Sequence, residues 1–197
     1  MTFIETIPED EAPQPVARMY EGDRTADGRL PNYTRAFSHR PDVYAAWQQL
    51  AGALRANMDL RRYELVTLAA ARRLRSSYCA LAHGAIIAER FLAPDALAAV
   101  LAGDAAGAPL DAVDHAVMDL ADRVAADATA ITQADIDHLR TLGLTDAEIF
   151  DVVATAALRC FFSKTLDGLG ALPDARYAEL DAGLRDALTV GRPIAAD

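Results

Sequence analysis

The stretch "YELVTLAAARRLRSSYCALAHG", residues 63–84, contains two consecutive helical patterns that meet at a pair of serines. Residues 65–71 are apolar at nearly every position, which is typical of a helix buried on most of its sides. Ser76 and Ser77 belong to the residue types that favour the N-cap of a helix. The sequence therefore predicts one helix that ends near Leu74 and a second helix that begins directly after it.

Helical patterns continue on both sides of this stretch. At two further helix starts a threonine is followed three residues later by an acid, namely Thr132 with Asp135 and Thr145 with Glu148. No segment of useful length alternates apolar and polar residues with a period of two, as a half-buried strand does. We therefore predict an all-α protein.

The chain length of 197 residues suits one domain with a real core. We expect a single domain over residues 1–197, with an N-terminal arm over 1–30 and a C-terminal helix over about 173–190. A shift of 84 residues places Glu64 on Glu148 and Gly84 on Gly168, with matching apolar positions between them. This predicts two repeat units, over about 41–103 and 111–170, that are joined by the small-residue stretch "GDAAGAPL".

Composition and charge narrow the range of partners. The formal net charge is -10 and the isoelectric point is about 4.8, whereas nucleic acid and anionic membrane surfaces both require a basic face. No run reaches the roughly 18 apolar residues of a membrane helix, and the first residues lack the pattern of a signal peptide. Two cysteines are too few for a disulfide framework. We expect a cytoplasmic protein with no nucleic-acid and no membrane partner.

The candidate catalytic residues are Cys79, His83, Glu64 and Ser76. If Ser76 is the N-cap, Cys79 is the third helical residue, where free backbone N–H groups and the helix dipole stabilise a thiolate. His83 lies one turn later on the same face and can accept the thiol proton. A carboxylate from Glu64, at the start of the preceding helix, would fix the tautomer of His83 and raise its pKa.

A purely structural interpretation of the same residues is also open. Free cysteine packs most often as a small buried apolar side chain, and burial is the default expectation for Cys160 as well. One Cys, one His and one Glu make a poor set of metal ligands, and there is no glycine-rich phosphate loop. We therefore expect neither a metal nor a cofactor. The remaining histidines are expected on the solvated surface, namely His39, His115 and His138. Four aromatic residues are expected in the core, namely Trp47, Tyr78, Phe161 and Phe162.

The spacing E-x14-C-x-x-x-H, formed by Glu64, Cys79 and His83, resembles the AhpD-like alkyl hydroperoxidase group of the carboxymuconolactone decarboxylase superfamily. The chain is most similar there to the peroxidase-related proteins, and the likeness extends to "LTDAEIFDVVATAALRCFFSKTLDGLG", residues 144–170. The resemblance implies the all-α AhpD-like helical fold with an internal two-fold repeat. It also implies a homo-oligomer, either a trimer or a hexamer.

The chain departs from this group at one position. Members typically carry Cys-x-x-Cys-x-x-x-His, and the first of those cysteines is Ser76 here. The resemblance implies that Cys79 attacks a peroxide while Glu64 and His83 relay the proton. Since serine cannot close a disulfide, an external thiol reductant would be needed. Cys160 is a further candidate for the resolving thiol, because it occupies the Ser76 position in the second repeat unit.

Three functions remain open. In the first, the protein is a thiol-dependent hydroperoxidase in which His83 helps to deprotonate Cys79, which a hydroperoxide converts to a sulfenic acid. In the second, it is a carboxymuconolactone-decarboxylase-like enzyme in which Glu64 and His83 move protons on a small organic acid, with Arg72 or Arg75 anchoring the carboxylate. In the third, it is a non-catalytic oligomeric sensor or binding protein.

Overall fold

The computed structural model describes residues 2–103 and 109–196. Over these residues the chain forms ten α-helices, three short 3-10 turns and no strand, which confirms the all-α prediction. The helices are α1 (Gln14–Asp23), α2 (Asn32–Ala36), α3 (Pro41–Arg55), α4 (Leu60–Arg73), α5 (Ser77–Arg90), α6 (Pro94–Ala102), α7 (Ala112–Asp127), α8 (Gln133–Thr141), α9 (Asp146–Leu169) and α10 (Ala182–Leu188).

Helix α4 is the central element of the fold and packs against α5, α7 and α9. All of residues 63–71 are buried, as the apolar run in the sequence predicts. The helix begins at an N-cap, Asp59, whose carboxylate accepts a hydrogen bond of 2.9 Å from the backbone N–H of Arg62. An acidic residue near the start of this buried segment, Glu64, must therefore find its partner inside the protein.

Helix α9 is the second long element and runs unbroken for 24 residues. It begins at the predicted capping box of Thr145 and Glu148, and α8 begins at the predicted capping box of Thr132 and Asp135. The guanidinium of Arg62 pairs with the Glu148 carboxylate at 2.8 Å, so the starts of α4 and α9 are held together.

The apolar interior has two main parts. One lies between α4, α7 and the first half of α9. The other surrounds α5 and contains stacked aromatic rings. The centroid of the Phe162 ring, from α9, lies 4.0 Å from that of Trp47 and 5.5 Å from that of Phe37. The segment with Cys79 and His83 therefore faces an aromatic neighbourhood.

Two predictions about the outline of the fold differ from the structure. The helix predicted over 173–190 is divided into a 3-10 turn, Ala175–Glu179, and α10, because Asp181 caps a new helix by accepting from the backbone N–H of Leu184 at 3.1 Å. The internal repeat is not confirmed: the first unit has a helix break between α4 and α5, whereas the matching part of α9 is continuous. Most of the predicted boundary stretch, residues 104–108, lies outside the described residues.

Within the described ranges, none of the helices combines the length and the apolar character needed to cross a membrane.

Candidate functional site

The junction between α4 and α5 places Cys79. Arg75 has a left-handed backbone with a φ of 57°, and the N–H of Ser76 donates to the Ala71 carbonyl at 2.9 Å, so the chain turns sharply directly after α4. Ser76 is the N-cap and Ser77 the first residue of α5. Cys79 is thus the third residue of α5, as predicted, among the N-terminal amide groups where the helix dipole is positive.

The Ser76 side chain does not make the cap that its position suggests. Its hydroxyl is fully buried and forms no hydrogen bond with any described residue. It lies beside the carboxyl of Asp167 on α9. Burial raises the pKa of this carboxyl and outweighs the opposing effects of the Ser76 hydroxyl and Arg192. The hydroxyl of Ser163, also on α9, is likewise buried without a partner.

Glu64 and His83 form the predicted pair. Nδ1 of His83 lies 2.5 Å from Oε2 of Glu64, which is only 2% exposed. A carboxylate at Nδ1 holds the proton on that nitrogen, so Nε2 is the ring atom that remains free to accept a proton. Glu64 raises the pKa of His83, as predicted, but the net direction of the pKa is the opposite. Burial and the positive charge of Arg159 lower this pKa, and they outweigh the opposing effect of Glu64.

Arg159 is the site residue that the sequence analysis missed. It lies on α9, is 3% exposed, and its Nη1 donates to the sulfur of Cys79 at 3.6 Å. Its guanidinium carbon also lies 5.5 Å from the ring centroid of Phe162. No described carboxylate pairs with it, and its Nε has no hydrogen-bond partner. The available signal was a single arginine inside the apolar run "VVATAALRCFF", where a cation needs a reason to be buried.

These side chains line one cavity of about 400 Å³. The polar residues Cys79, His83, Glu64 and Arg159 share it with Arg55, from the last turn of α3. The remaining wall is mostly aromatic, with the rings of Tyr33, Tyr44, Trp47, Tyr63, Tyr78 and Phe162. Such a mixture of apolar walls with a few polar groups is typical of a small-molecule site.

The aromatic walls are held in place from outside the cavity. The Tyr78 hydroxyl donates to Asp174 at 2.6 Å and accepts from the backbone N–H of Tyr33 at 3.1 Å. The Tyr44 hydroxyl donates to Asp23 at 2.5 Å. Burial is the main cause that raises the pKa of both phenols, so they remain neutral walls in the physiological pH range.

Several predicted residues lie elsewhere. Arg72 and Arg75, the expected carboxylate anchors, do not line the cavity, and the Arg75 side chain instead donates to the Val190 carbonyl at 3.2 Å. Cys160 is half-buried and free, and it also lies outside the cavity lining. Burial raises the pKa of its thiol despite the nearby Lys164. The structure therefore gives Cys160 no direct place in the site.

The remaining assignments are mostly confirmed. The three histidines expected at the surface are exposed, and Tyr78 and Phe162 are buried. Phe161 was expected in the core, but it is 45% exposed, because its neighbour Phe162 takes the inward-facing position on α9. Across the described residues, no three His, Cys, Asp or Glu side chains come together as metal ligands.

Comparisons with known proteins agree with the all-α fold. Residues 41–123 match the model of the carboxymuconolactone decarboxylase family. No curated protein matches the chain in sequence. Among solved structures, the fold is similar to that of an AhpD-core, peroxidase-related protein from Ralstonia eutropha JMP134, with a TM-score of 0.78 and 22% identity over 89% of this chain and 94% of that one.

Two other solved structures are similar in fold. A peroxidase-related protein from Silicibacter sp. TM1040 has a TM-score of 0.77 and 21% identity, over 90% of this chain and 94% of that one. The debrominase Bmp8, in a cysteine-to-alanine variant in complex with 2,3,4-tribromopyrrole, has a TM-score of 0.69 and 15% identity, over 95% of this chain and 96% of that one. The family match is therefore confined to residues 41–123, while the solved structures show that the chain has the AhpD-like helical fold.

Proposed function

We propose that the protein is a thiol-dependent hydroperoxidase in which Cys79 is the peroxide-reacting residue and an external thiol is the reductant. Glu64 and His83 serve as its proton relay. This proposal goes beyond the family match over residues 41–123 and the shared fold, which do not decide between activities.

The observation that carries the proposal is the contact between Arg159 and Cys79. A buried guanidinium without a counter-charge is strongly unfavourable, and Arg159 meets no carboxylate among the described residues. Its Nη1 instead points at the sulfur of Cys79, 3.6 Å away. A thiolate at Cys79 would supply the missing negative charge, and the thiolate is the form of cysteine that attacks peroxides.

The chemistry is balanced without a cofactor. Nε2 of His83 accepts the thiol proton, and Glu64 stabilises the imidazolium that results. The Cys79 thiolate attacks the outer oxygen of the hydroperoxide, the O–O bond breaks, and the leaving alkoxide takes the proton back from His83. Cys79 becomes a sulfenic acid and the hydroperoxide becomes an alcohol. No hydrogen bond joins His83 to the Cys79 sulfur, so a water or the peroxide itself carries the proton between them.

The second half of the cycle requires a partner thiol. Ser76 cannot form a disulfide with Cys79, and Cys160 does not reach the cavity. A small thiol or a thiol protein must therefore attack the sulfenic sulfur, which forms a mixed disulfide and releases water. A second thiol then attacks this disulfide and gives the reduced enzyme. In a Ser76→Cys variant we expect an internal disulfide to Cys79 after peroxide treatment, because these positions are three residues apart at the start of α5.

The test is to mix the reduced protein with a hydroperoxide and a sulfenic-acid trap, and to follow labelling by mass spectrometry. We expect rapid labelling of Cys79 in the wild type and in Cys160→Ser, and much slower labelling in His83→Ala. Labelling of Cys79 no faster than that of a free thiol would overturn the proposal.

A second candidate function is supported by the buried Glu64–His83 pair itself. The same two residues could move protons on a small organic acid, as a carboxymuconolactone-decarboxylase-like enzyme would. In that case Cys79→Ser retains turnover of the acid, while Glu64→Gln and His83→Ala lose it. Under the hydroperoxidase proposal Cys79→Ser abolishes activity. Debromination of tribromopyrrole without any peroxide reactivity would also contradict the proposal.

A further inference from the structure

The cavity around Cys79 has more positive charge and more free hydrogen-bond donors than the proposed chemistry uses. Its charged residues are Arg55, Arg159 and Glu64, together with the His83 ring. Glu64 is the single carboxylate in the cavity lining and is already hydrogen-bonded to His83, so the two arginines outnumber it. This local excess of positive charge lies in a protein whose formal net charge is -10.

The unpaired groups that line the cavity are donors. Arg55 forms no ion pair or side-chain hydrogen bond with any described residue, Nε of Arg159 is buried without an acceptor, and so is Nε1 of Trp47. The two buried donors, Nε of Arg159 and Nε1 of Trp47, are of the kind that is normally satisfied, by a ligand where the protein offers no partner. A ligand rich in acceptor oxygens and negatively charged would complement all three.

The two arginines occupy different parts of the cavity. Nη1 of Arg159 contacts the Cys79 sulfur, next to which the peroxide must bind. The guanidinium of Arg55 lies 5.9 Å from the ring centroid of Tyr63, whose ring in turn meets the His83 ring edge-on with centroids 6.3 Å apart. Arg55 is therefore separated from the reacting groups by one aromatic ring, and this cation–π contact holds it towards the cavity.

We propose that the cavity binds an organic hydroperoxide that also carries a carboxylate, with the peroxide at Cys79, the apolar body between the aromatic walls and the carboxylate at Arg55. This inference rests on the proposed function. Arg55 is then a specificity-determining residue, and small or neutral peroxides are poorer substrates than anionic ones.

The first test is a binding measurement that does not depend on catalysis. Trp47 is the only tryptophan of the chain and lines the cavity, so its fluorescence reports occupancy directly. We expect para-isopropylbenzoate to quench this fluorescence and to bind about tenfold more tightly than para-isopropylbenzamide, as one charge-assisted hydrogen bond gives. The preference should disappear in Arg55→Gln and should weaken at high salt, because Arg55 is exposed to solvent.

Arg90→Gln is the matched control. Arg90 is also an exposed arginine in the last turn of a helix, but it does not line the cavity, so its variant should keep the preference for the acid. Equal affinity for the acid and the amide in the wild type, or an equal loss of preference in both variants, would overturn the inference.

The second test measures selectivity in the reaction. Cys79 oxidation is timed with para-carboxy cumene hydroperoxide and with its methyl ester, and the ratio of the two rates is compared among the wild type, Arg55→Gln and Arg90→Gln. A ratio of about ten that falls towards one only in Arg55→Gln supports the inference. If the benzoate binds through Arg55 but neither peroxide oxidises Cys79, the proposed function fails while the carboxylate site stands.

Discussion

At the scale of single residues, the proposed function depends on the contact between Arg159 and the Cys79 sulfur. Replacement of Arg159 by methionine keeps much of the side-chain volume and removes the charge. We expect Arg159→Met to slow Cys79 oxidation by about a hundredfold, which corresponds to about 2.7 kcal/mol of lost stabilisation of the reacting thiolate. The melting temperature should stay equal or rise, because an unpaired buried cation is replaced by an apolar group.

The control for this variant is Arg72→Met. Arg72 also carries a buried guanidinium nitrogen without a partner, but it does not line the cavity. Its variant should react with peroxide at the wild-type rate. Equal rates in Arg159→Met and the wild type would show that the contact with Cys79 is only packing.

His83 should make stability depend on pH near neutrality. Burial, followed by the charge of Arg159, holds its pKa below 6.5 in the folded protein, whereas the unfolded chain titrates near 6.5. The unfolded state therefore binds more protons as the pH falls below that value. The free energy of unfolding should be fully present above about pH 6.5 and should decrease as the solution is acidified.

This dependence is measured by urea unfolding between pH 5 and pH 8. The fall in stability should be smaller in His83→Gln than in the wild type, since glutamine does not titrate. His138→Gln serves as the comparison because His138 is exposed. A pH dependence that is unchanged in His83→Gln would contradict the lowered pKa.

The sequence was sufficient to predict part of the site. Cys79 and His83 lie on one face because helix geometry fixes neighbours four residues apart, and Glu64 meets His83 because α4 and α5 are consecutive and packed together. Arg159 could not be predicted in the same way. It comes from a helix 80 positions later in the chain, and only tertiary packing brings it to Cys79.

At the scale of elements, the contact between α5 and α10 depends on Gly84. A methyl group at this position would lie 2.5 Å from Cδ1 of the fully buried Leu188. We expect Gly84→Ala to lower the free energy of unfolding by about 1–3 kcal/mol, as overpacking in a core does. Denaturant unfolding measures this change directly.

The matched control is Gly168→Ala in α9. The predicted repeat pairs Gly168 with Gly84, but the space around Gly168 is open. Alanine there should be neutral or stabilising by up to about 1 kcal/mol, since glycine lowers helix stability. Similar destabilisation in both variants would show that Leu188 does not restrict Gly84.

Helix types and starts could be predicted from local signals, whereas their length and tertiary role could not. The capping boxes at Thr132 and Thr145 locate the starts of α8 and α9, because the side-chain and backbone partners are within three residues. The C-terminal helix is shorter than predicted, because Asp181 caps a new helix where the apolar pattern continues. The serines at 76 and 77 predicted the helix break after α4, but the repeat alignment did not predict that the matching part of α9 continues unbroken.

At the scale of the whole molecule, the homo-oligomer that the family resemblance implies stays a prediction. A protomer of 21.1 kDa should give a mass of three or six times that value in light scattering. The exposed apolar side chains of Leu50, Phe150 and Phe161 are the first positions at which to test assembly, for example with Phe150→Glu. A mass near that of one protomer would contradict the prediction.

The segment around Gly191 packs tightly on the junction that presents Cys79. Its N–H donates to the Ser77 hydroxyl at 2.7 Å, and a methyl group on Gly191 would collide with the Arg75 carbonyl at 2.0 Å. On the ribosome, a chain that has emerged only to residue 185 lacks the segment around Gly191, so the start of α5 is not yet covered by it. The thiol of Cys79 is then made well before the segment that packs on the start of its helix, and protection of the nascent chain from oxidants depends on the order of synthesis.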